Sequence, residues 1–346
     1  MNSASWEIAL SALRMKSELT FDASRAIMEE ILSGQRGVEE IAEFLTLHTE
    51  KGGTPTEVSG FIDAMYAHAA PITVNGRAVD TVGTGGDGFH TINISTASAI
   101  VAAAAGARVI KHGNRAATSQ SGAADVLEAL GVKIDLNGEQ VAQLVAEVGI
   151  GFCFAPMFHS AMRHAAPARK SLGFPTIFNI LGPLSNPARP SAYAIGVAKA
   201  QMFPIVAEVL RERGVDALVF RGKDGLDEIS LSEPTEIYLI SQNRSTLHEI
   251  DPQRWGIPRN PLESLRGGSG EVNAALLREI LEGKSGPMRD VVLLNAAAAL
   301  IAFDGEVSQV EINELFMNAL EKVSLAIDSG RAITLLERWR ERSHLV

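Results

Sequence analysis

Residues 78–111 read AVDTVGTGGDGFHTINISTASAIVAAAAGARVIK. This stretch predicts a short strand at 78–82, a glycine-rich loop, an alanine-rich helix at 97–105 and a second strand at 107–111. A strand, a crossover helix and a second strand form a βαβ unit, in which the two strands run parallel. The stretch therefore indicates an α/β fold.

The centre of the chain continues the same alternation. Further strands are expected at 150–155, 192–197, 217–221 and 235–240, separated by helices at 122–130, 139–147 and 201–213. Such alternation is typical of a mostly parallel sheet covered by helices on its faces. After Asn273 the pattern is helical to near the end of the chain.

The first part of the chain has a different hydrophobic pattern. From Trp6 to about Ala70 apolar residues recur every three or four positions, which predicts helices only. Within it, Thr54 is the expected N-cap of a helix that follows the turn at 52–53. We expect a small all-helical domain at 1–72, with residues 159–184 folding back onto it, and an α/β domain formed by 73–158 and 185–346.

Composition narrows the class of protein. The chain has 346 residues, 46% hydrophobic content and a formal charge of −10, which disfavours a general nucleic-acid or anionic-membrane surface. Its one cysteine, Cys153, lies in an apolar run, so we expect a core residue rather than a nucleophile. The N-terminus lacks a signal-peptide pattern, and the apolar run 291–303 is shorter than the ~20 residues that span a bilayer. We therefore expect a cytoplasmic protein in which 291–303 is a buried helix.

The first loop whose residues suit ligand binding is GTGGDG at 83–88, which leads into NIST at 93–96. Closely spaced glycines permit positive φ and leave backbone N–H groups free to surround an anion, and Ser95 or Thr96 is expected to cap the following helix. The pattern favours a phosphate cradle over a plain strand-to-helix turn.

Two further loops follow predicted strands, where ligands of open α/β sheets bind. KHGNR at 111–115, with hydroxyls at 118–121, suits a polyanionic substrate, although a solvated basic turn capped by Ser119 or Ser121 is the alternative. In DGLDEIS at 224–230, the adjacent carboxylates Asp227 and Glu228 suit Mg²⁺. An acidic surface turn is the alternative there, and a neighbouring phosphate cradle favours the metal.

A fourth stretch combines HSAMRH at 159–164, the pair Arg169–Lys170 and FNILGP at 178–183. If 159–169 is one helix, Arg169 and His159 lie near the same face and line one cleft. A solvated basic face is the alternative.

Together these four stretches, in this order and at these spacings, resemble the anthranilate phosphoribosyltransferase family over about residues 10–340. The resemblance implies transfer of a phosphoribosyl group from phosphoribosyl pyrophosphate to the amine of anthranilate, in tryptophan synthesis and with Mg²⁺. It also implies an active site between the helical and α/β domains, and a homodimer formed through the helical domain.

The resemblance assigns site residues as well. Contacts to phosphoribosyl pyrophosphate fall on Gly83, Gly86, Asp87, Thr91, Asn93, Ile94, Ser95, Thr96, Lys111 and Ser119. Metal ligands fall on Ser95, Asp227 and Glu228. Anthranilate contacts fall on Gly83, Asn114 and Arg169, with His112, His159 and Pro183 lining the approach, and the catalytic residues are Lys111, Arg169 and His112. The chain departs from the family pattern at Gln120, Ala123 and Ser160.

Two other functions are consistent with parts of this pattern. A pyrimidine nucleoside phosphorylase shares the expected architecture and a glycine-rich phosphate loop, but it has a serine and a glycine where this chain has residues 112–114. A non-catalytic nucleic-acid-binding relative requires a basic surface and degraded metal ligands. The charge of −10 and the presence of Asp227 and Glu228 argue against the second alternative.

Overall fold

The computed structural model describes residues 3–116, 120–305 and 311–346. Its sheet has seven strands in the order β3-β2-β1-β4-β5-β6-β7. The strands are β1 (Val79–Gly83), β2 (Val109–Gly113), β3 (Ile150–Phe154), β4 (Ala192–Gly196), β5 (Asp216–Gly222), β6 (Thr235–Ser241) and β7 (Arg244–Ile250).

Helices precede, connect and follow these strands. Those before the sheet are α1 (Ser3–Arg14), α2 (Phe21–Leu32), α3 (Val38–Lys51) and α4 (Pro55–Ala67). Those between strands are α5 (Ile94–Ala104), α6 (Ala123–Ala129), α7 (Gly138–Val148), α8 (Ala155–Phe158), α9 (Ala166–Leu172), α10 (Phe178–Leu184) and α11 (Phe203–Glu212). Those after the sheet are α12 (Gly270–Leu281), α13 (Pro287–Asp304), α14 (Ile312–Asp328) and α15 (Arg331–Ser343).

The mostly parallel sheet is confirmed. Strands β3, β2, β1, β4 and β5 pair in parallel, and each predicted strand is present within two residues of its expected ends. The exception is the far edge, where β6 pairs antiparallel with β5 and an unpredicted β7 completes a hairpin. The hairpin turns at Gln242 and Asn243, both with positive φ, as two-residue hairpin loops require.

The sheet is buried on both faces, since alternate residues of its strands belong to different cores. In β5, Leu218 and Phe220 face a core formed with α5 and α12–α15, whereas Ala217 and Val219 face a core shared with α1–α4, α10 and α11. The predicted buried helix is confirmed, because α13 is buried throughout 291–302 and packs against the alanine-rich α5. Within the described residues no helix combines the length and apolar character required to cross a bilayer.

The first four helices form a bundle around Trp6, Phe44 and Phe61. The segment between β3 and β4 packs on this bundle: α9 contacts α3, α10 contacts α4, and a 3₁₀ turn at 160–164 contacts α2. The boundaries proposed for the two domains stay a prediction. Cys153 is fully buried, as expected of a core residue.

A buried ionic cluster fixes the start of α4. The predicted N-cap is confirmed: Thr54 caps α4, and Glu57 completes the capping box by accepting from the Thr54 N–H. The carboxylate of Glu57 also accepts from the Leu19 N–H at 2.8 Å and from Lys51 Nζ at 2.9 Å. Burial alone would raise the pKa of Glu57, but these bonds and the nearby His48 lower it to about 2.

We predict that Glu57→Gln lowers the free energy of unfolding by about 1–3 kcal/mol at pH 7, since it leaves buried donors without a charged acceptor. Because the folded-state pKa lies below the usual value of 4.5, this stabilisation is present above that pH and disappears as the pH falls towards about 2. Urea unfolding of the wild-type protein and of Glu57→Gln between pH 7 and pH 3 should show that the difference in their free energies of unfolding shrinks on acidification. Glu39→Gln, at an exposed position of α3, serves as the control; a pH-independent gap would contradict the assignment.

Candidate active site

The candidate site lies at the carboxyl ends of β1, β4 and β5, where two glycines make room for an acidic loop. Gly83 and Gly196 are register partners at the ends of β1 and β4. A Cβ on Gly83 would overlap the carboxylate of Asp227, and a Cβ on Gly196 would overlap its carbonyl. The Asp227 carboxylate accepts from the Gly85 N–H at 2.6 Å. The acidic loop and the glycine-rich loop, predicted separately, are therefore in contact.

The glycine-rich loop has the backbone shape that its composition predicts. Gly85, Gly86 and Gly88 have positive φ values of 69°, 80° and 81°. A Cβ on any of them would meet no atom within 4 Å, so the loop borders open space on this side. Such a loop presents backbone N–H groups to a ligand without side-chain obstruction.

The helix after this loop begins earlier than predicted. We expected Ser95 or Thr96 as its cap, which is wrong: α5 begins at Ile94 with Asn93 in the N-cap position, and Ser95 and Thr96 lie in the first turn. The Asn93 side chain donates to the Ser121 carbonyl and accepts from Asn273. Because these tertiary bonds hold Asn93, its side chain is not used in a local cap.

Acidic groups crowd the site. Asp227 and Glu228 are both 7% exposed. Burial and the nearby carboxylate of Asp87 raise the pKa of Asp227 to about 7, and burial together with Asp227 raises the pKa of Glu228 well above its usual range. Lys111 opposes the shift of Glu228 but is a single cation among three carboxylates. The cluster is therefore short of positive charge.

This arrangement fits a hard divalent cation. The described residues contain no cluster of three or more His, Cys, Asp or Glu side chains that would enclose a metal by itself. Mg²⁺ is commonly held by one or two carboxylates, with water and substrate phosphate oxygens completing its shell. Asp227 and Glu228 supply the carboxylates, and the Ser95 N–H donates to Glu228, which brings the Ser95 hydroxyl beside them.

Lys111 joins β1 to the first turn of α5. Its ammonium group is 1% exposed and donates to the Thr81 carbonyl at 2.6 Å and to Ser95 Oγ at 3.1 Å. Burial lowers the pKa of Lys111, whereas Asp80 and Glu228 act in the opposite direction. The predicted phosphate-binding lysine thus contacts a predicted metal ligand.

Two neutral histidines lie next to this region. The rings of His112 and His159 are 5.2 Å apart, with His112 Nδ1 3.1 Å from the Gly182 carbonyl and His159 Nε2 2.9 Å from the Ser185 carbonyl. Burial and the neighbouring His159 lower the pKa of His112 to about 3, and burial lowers that of His159. A carbonyl acceptor requires the proton on His112 Nδ1, so its Nε2 is an acceptor that has no hydrogen-bond partner within the described residues.

The segment that carries Arg169 is not the single helix we predicted. His159 follows the short α8, a 3₁₀ turn covers 160–164, and α9 starts at Ala166 with Pro167 in its first turn. Proline there removes a backbone donor that a continuous helix would need. The half-buried Arg169 guanidinium lies 5.2 Å from the Phe178 ring, and burial lowers its pKa. It forms no ion pair with any residue that the structure describes.

The KHGNR loop at 111–115 offers less free positive charge to a ligand than predicted. Arg115 forms ion pairs with Asp125 and Glu128 of α6, and the Asn114 carboxamide oxygen accepts from the Arg115 N–H. The helix cap is Gly122, with Asp125 completing the box, rather than Ser121. Ser119, the other capping alternative and a predicted phosphate contact, lies outside the described residues.

Several residues that shape the site were missed because they are distant in sequence. Asn273 binds Asn93, and Asn295 of α13 both donates to and accepts from the backbone of Ile229, next to Glu228. Asn295 lies within the apolar run 291–303, where a buried amide is a signal of a specific contact. Asp80 and Asn186 likewise bind backbone groups beside the site, at His112 and Ile110.

Comparisons with known proteins agree with this architecture. Residues 8–69 match the helical bundle domain of a glycosyl transferase family, and residues 75–333 match the a/b domain of the same family. The chain belongs to this glycosyl transferase family and is an enzyme.

More specific relatives share one name. The chain is 49% identical over 336 residues to the anthranilate phosphoribosyltransferase of Rhodococcus jostii, covering 97% of this chain and 92% of that one. The crystal structure of the Thermus thermophilus enzyme of that name superimposes with a TM-score of 0.90 at 38% identity, over 97% and 99% of the two chains. The Saccharomyces cerevisiae enzyme, in complex with PRPP and Mg, gives 0.89 at 27% identity, over 100% and 99%. Within its family, the chain belongs to the anthranilate phosphoribosyltransferases.

The contact between Gly83 and Asp227 can be tested directly. Gly83→Ala should displace the Asp227 carboxylate and lower the free energy of unfolding by about 1–3 kcal/mol, the usual cost of overpacking a tight site. Chemical denaturation measures this loss. Gly37→Ala, whose Cβ would meet only the Glu40 carboxylate at 3.5 Å, is the matched control. Equal effects of the two substitutions would contradict the close approach.

Proposed function

We propose that this cleft transfers the 5-phosphoribosyl group of phosphoribosyl pyrophosphate to the amine of anthranilate, as a step of tryptophan biosynthesis. The observation that carries the proposal is the close grouping of two buried carboxylates, a glycine-rich loop and a buried lysine: Asp227 accepts from the Gly85 N–H, and Lys111 donates to Ser95 and interacts electrostatically with Glu228. The lysine and the loop N–H groups suit a negatively charged diphosphate, and the carboxylates suit a positively charged Mg²⁺. The two ligands can therefore bind together.

The donor is bound at the β1 and β2 ends. Backbone N–H groups of the glycine-rich loop and the first turn of α5 offer hydrogen bonds to phosphate oxygens, and Lys111 adds a fixed positive charge. The residues we assign to this end are Gly83, Gly86, Asp87, Thr91, Asn93, Ile94, Ser95, Thr96, Lys111 and Ser119.

Mg²⁺ is held by Ser95, Asp227 and Glu228 in this proposal. When bound, it acts as a Lewis acid that neutralises charge on the pyrophosphate leaving group. The raised pKa values of Asp227 and Glu228 support the assignment, because a neighbouring cation favours the charged form of both carboxylates.

Anthranilate is bound next to the donor, by Gly83, Asn114 and Arg169, with His112, His159 and Pro183 along the approach. Arg169 is suited to the carboxylate of the acceptor since its guanidinium is half-buried and makes no protein ion pair within the described residues. A planar guanidinium binds a carboxylate through two parallel hydrogen bonds, which orients the amine.

The reaction breaks the bond between ribose C1 and the pyrophosphate oxygen and forms a bond between C1 and the anthranilate nitrogen. Positive charge develops on the ribose ring, so the residues of the cleft act mainly by alignment and by stabilising the departing anion. The proton of the amine leaves after the new bond begins to form, to water, pyrophosphate or His112. His112 is a weak base, since its pKa is lowered to about 3.

The two alternative functions have less support. The similar proteins from Rhodococcus jostii, Thermus thermophilus and Saccharomyces cerevisiae are all named anthranilate phosphoribosyltransferase. The chain also has Asp227 and Glu228, which a nucleic-acid-binding relative does not require. Cleavage of thymidine by phosphate would favour the phosphorylase alternative.

We also propose a cytoplasmic homodimer that associates through the helical bundle. The bundle exposes several large apolar side chains, which association would remove from water. They are Ile8, Met15, Phe21 and Val38.

The proposed activity is tested by following anthranilate fluorescence after mixing the protein with phosphoribosyl pyrophosphate. Fluorescence should fall in the presence of Mg²⁺, stay constant with EDTA and fall again when excess Mg²⁺ is restored. Constant fluorescence under all three conditions would reject the proposal.

We predict that Asp227→Ala and Glu228→Ala each reduce turnover at least about 100-fold, as expected for loss of leaving-group stabilisation. His112→Ala should slow turnover far less than the roughly 100-fold that a general base contributes. Initial rates at saturating substrates measure both effects. Glu233→Gln, at an exposed position five residues after Glu228, is the control. Equal, mild effects at all three positions would refute the metal assignment.

We further predict that Arg169→Ala raises the KM for anthranilate about tenfold or more, the loss expected for a charged hydrogen bond, and leaves the KM for phosphoribosyl pyrophosphate nearly unchanged. Steady-state kinetics with each substrate varied in turn measures the split. Lys170→Ala, at the next and exposed position, provides the control. A larger change in the KM of the donor would disprove the assigned contact.

A further inference from the structure

The sheet opens between β1 and β2 at the end that carries the site. Strand β1 pairs with β4 along five residues, and β2 pairs with β3 along five, but β1 and β2 share only the pair Val79↔Val109. Beyond that pair the two strands remain neighbours without a regular backbone ladder. Their facing polar groups therefore need other partners, because buried backbone N–H and C=O groups are rarely left unpaired.

Two side chains supply those partners. Asp80 Oδ1 accepts from the His112 N–H at 3.2 Å, and Asn186 Nδ2 donates to the Ile110 carbonyl at 2.8 Å. The same Nδ2 donates to Asp80 Oδ2 at 2.9 Å, which links the two side chains. Asp80 and Asn186 are both fully buried.

Asn186 uses both of its amide hydrogens and its carbonyl oxygen in this arrangement. Its Nδ2 has two hydrogens, which go to Asp80 and Ile110, and its Oδ1 accepts from the Ala188 N–H at 3.0 Å. A carboxamide with three different partners has one possible orientation. The loop after α10 is thereby tied to the end of β2.

These bonds hold the backbone on either side of Lys111. Ile110 and His112 are its chain neighbours, and the Lys111 ammonium group crosses the same opening to reach the Thr81 carbonyl of β1. Replacing a regular ladder with side chains thus leaves a passage for the lysine.

We propose that Asp80 and Asn186 are positioning residues, which hold the open end of β2 so that Lys111 reaches the phosphate-binding side of the cleft. The inference rests on the function proposed above for Lys111. It extends that function to a pair of residues that contact neither substrate.

The test compares KM values for the two substrates. Asp80→Asn places an amide donor opposite the donating Asn186 and should raise the KM for phosphoribosyl pyrophosphate about tenfold, the change that follows from loss of a hydrogen bond to a charged group. The KM for anthranilate should rise less than that of the donor, because Arg169, the residue assigned to its carboxylate, lies on α9 and not on β2. If Asp80→Asn does not fold, Asn186→Ala is used instead, because it removes the donors to Asp80 and Ile110. It should show the same difference between the two KM values.

The control is Asp216→Asn, the same chemical change at the amino end of β5, where Asp216 pairs with Arg77 at 2.6 Å. It should lower stability and leave both KM values unchanged. Lys111→Met separates the two levels of the proposal. If Lys111→Met raises the KM for phosphoribosyl pyrophosphate but Asp80→Asn and Asn186→Ala do not, the positioning role is wrong. If Lys111→Met leaves that KM unchanged, the function assigned to Lys111 is wrong, and the positioning role is wrong with it. Parallel changes of both KM values in Asp80→Asn and Asp216→Asn would overturn the inference as a general loss of stability.

Discussion

The close approach of Asp227 to the ends of β1 and β4 is the constraint on which the rest of the site depends. It is possible only because both strands end in glycine, at Gly83 and Gly196, with no Cβ in the space that Asp227 occupies. Two residues further along the acidic loop, the Asn295 side chain makes two hydrogen bonds to the backbone of Ile229. The loop is therefore held on both sides of Glu228, whose carboxylate accepts from the Ser95 N–H in the first turn of α5.

Two parts of the site have opposite charge requirements. In the acidic cluster Asp87, Asp227 and Glu228 exceed the charge of Lys111, so the protein alone leaves negative charge poorly compensated. On α9, Arg169 is a half-buried cation without a protein counterion among the described residues. A metal-bound diphosphate and a carboxylate-bearing acceptor satisfy these requirements separately. The neutral histidines on the approach add no charge that would disturb either.

Sequence analysis predicted the features that depend on local periodicity and on the position of loops after strands. The βαβ unit, the parallel strands and the loop clusters around Gly83, Lys111 and Asp227 follow from periodicity and from the rule that ligands bind beyond the carboxyl ends of strands. Strand β7 escaped prediction because it is an exposed edge strand with the polar sequence RSTLHEI, which lacks an apolar alternation. The position of Asn93 as the cap of α5 depends on Asn273, 180 residues away, so no local pattern could have distinguished it from Ser95.

Buried polar residues inside apolar elements are the signal that sequence analysis used least. Asp80 lies within a strand and Asn295 within an alanine-rich helix, and each would be costly there without a partner. Both turn out to bind backbone groups beside residues of the site, at His112 and Ile229. The reason is physical: a backbone that must leave its regular ladder to shape a cleft exposes N–H and C=O groups that only side chains can satisfy. Polar residues at such positions therefore indicate where a strand or loop departs from regular pairing, even when they touch no ligand themselves.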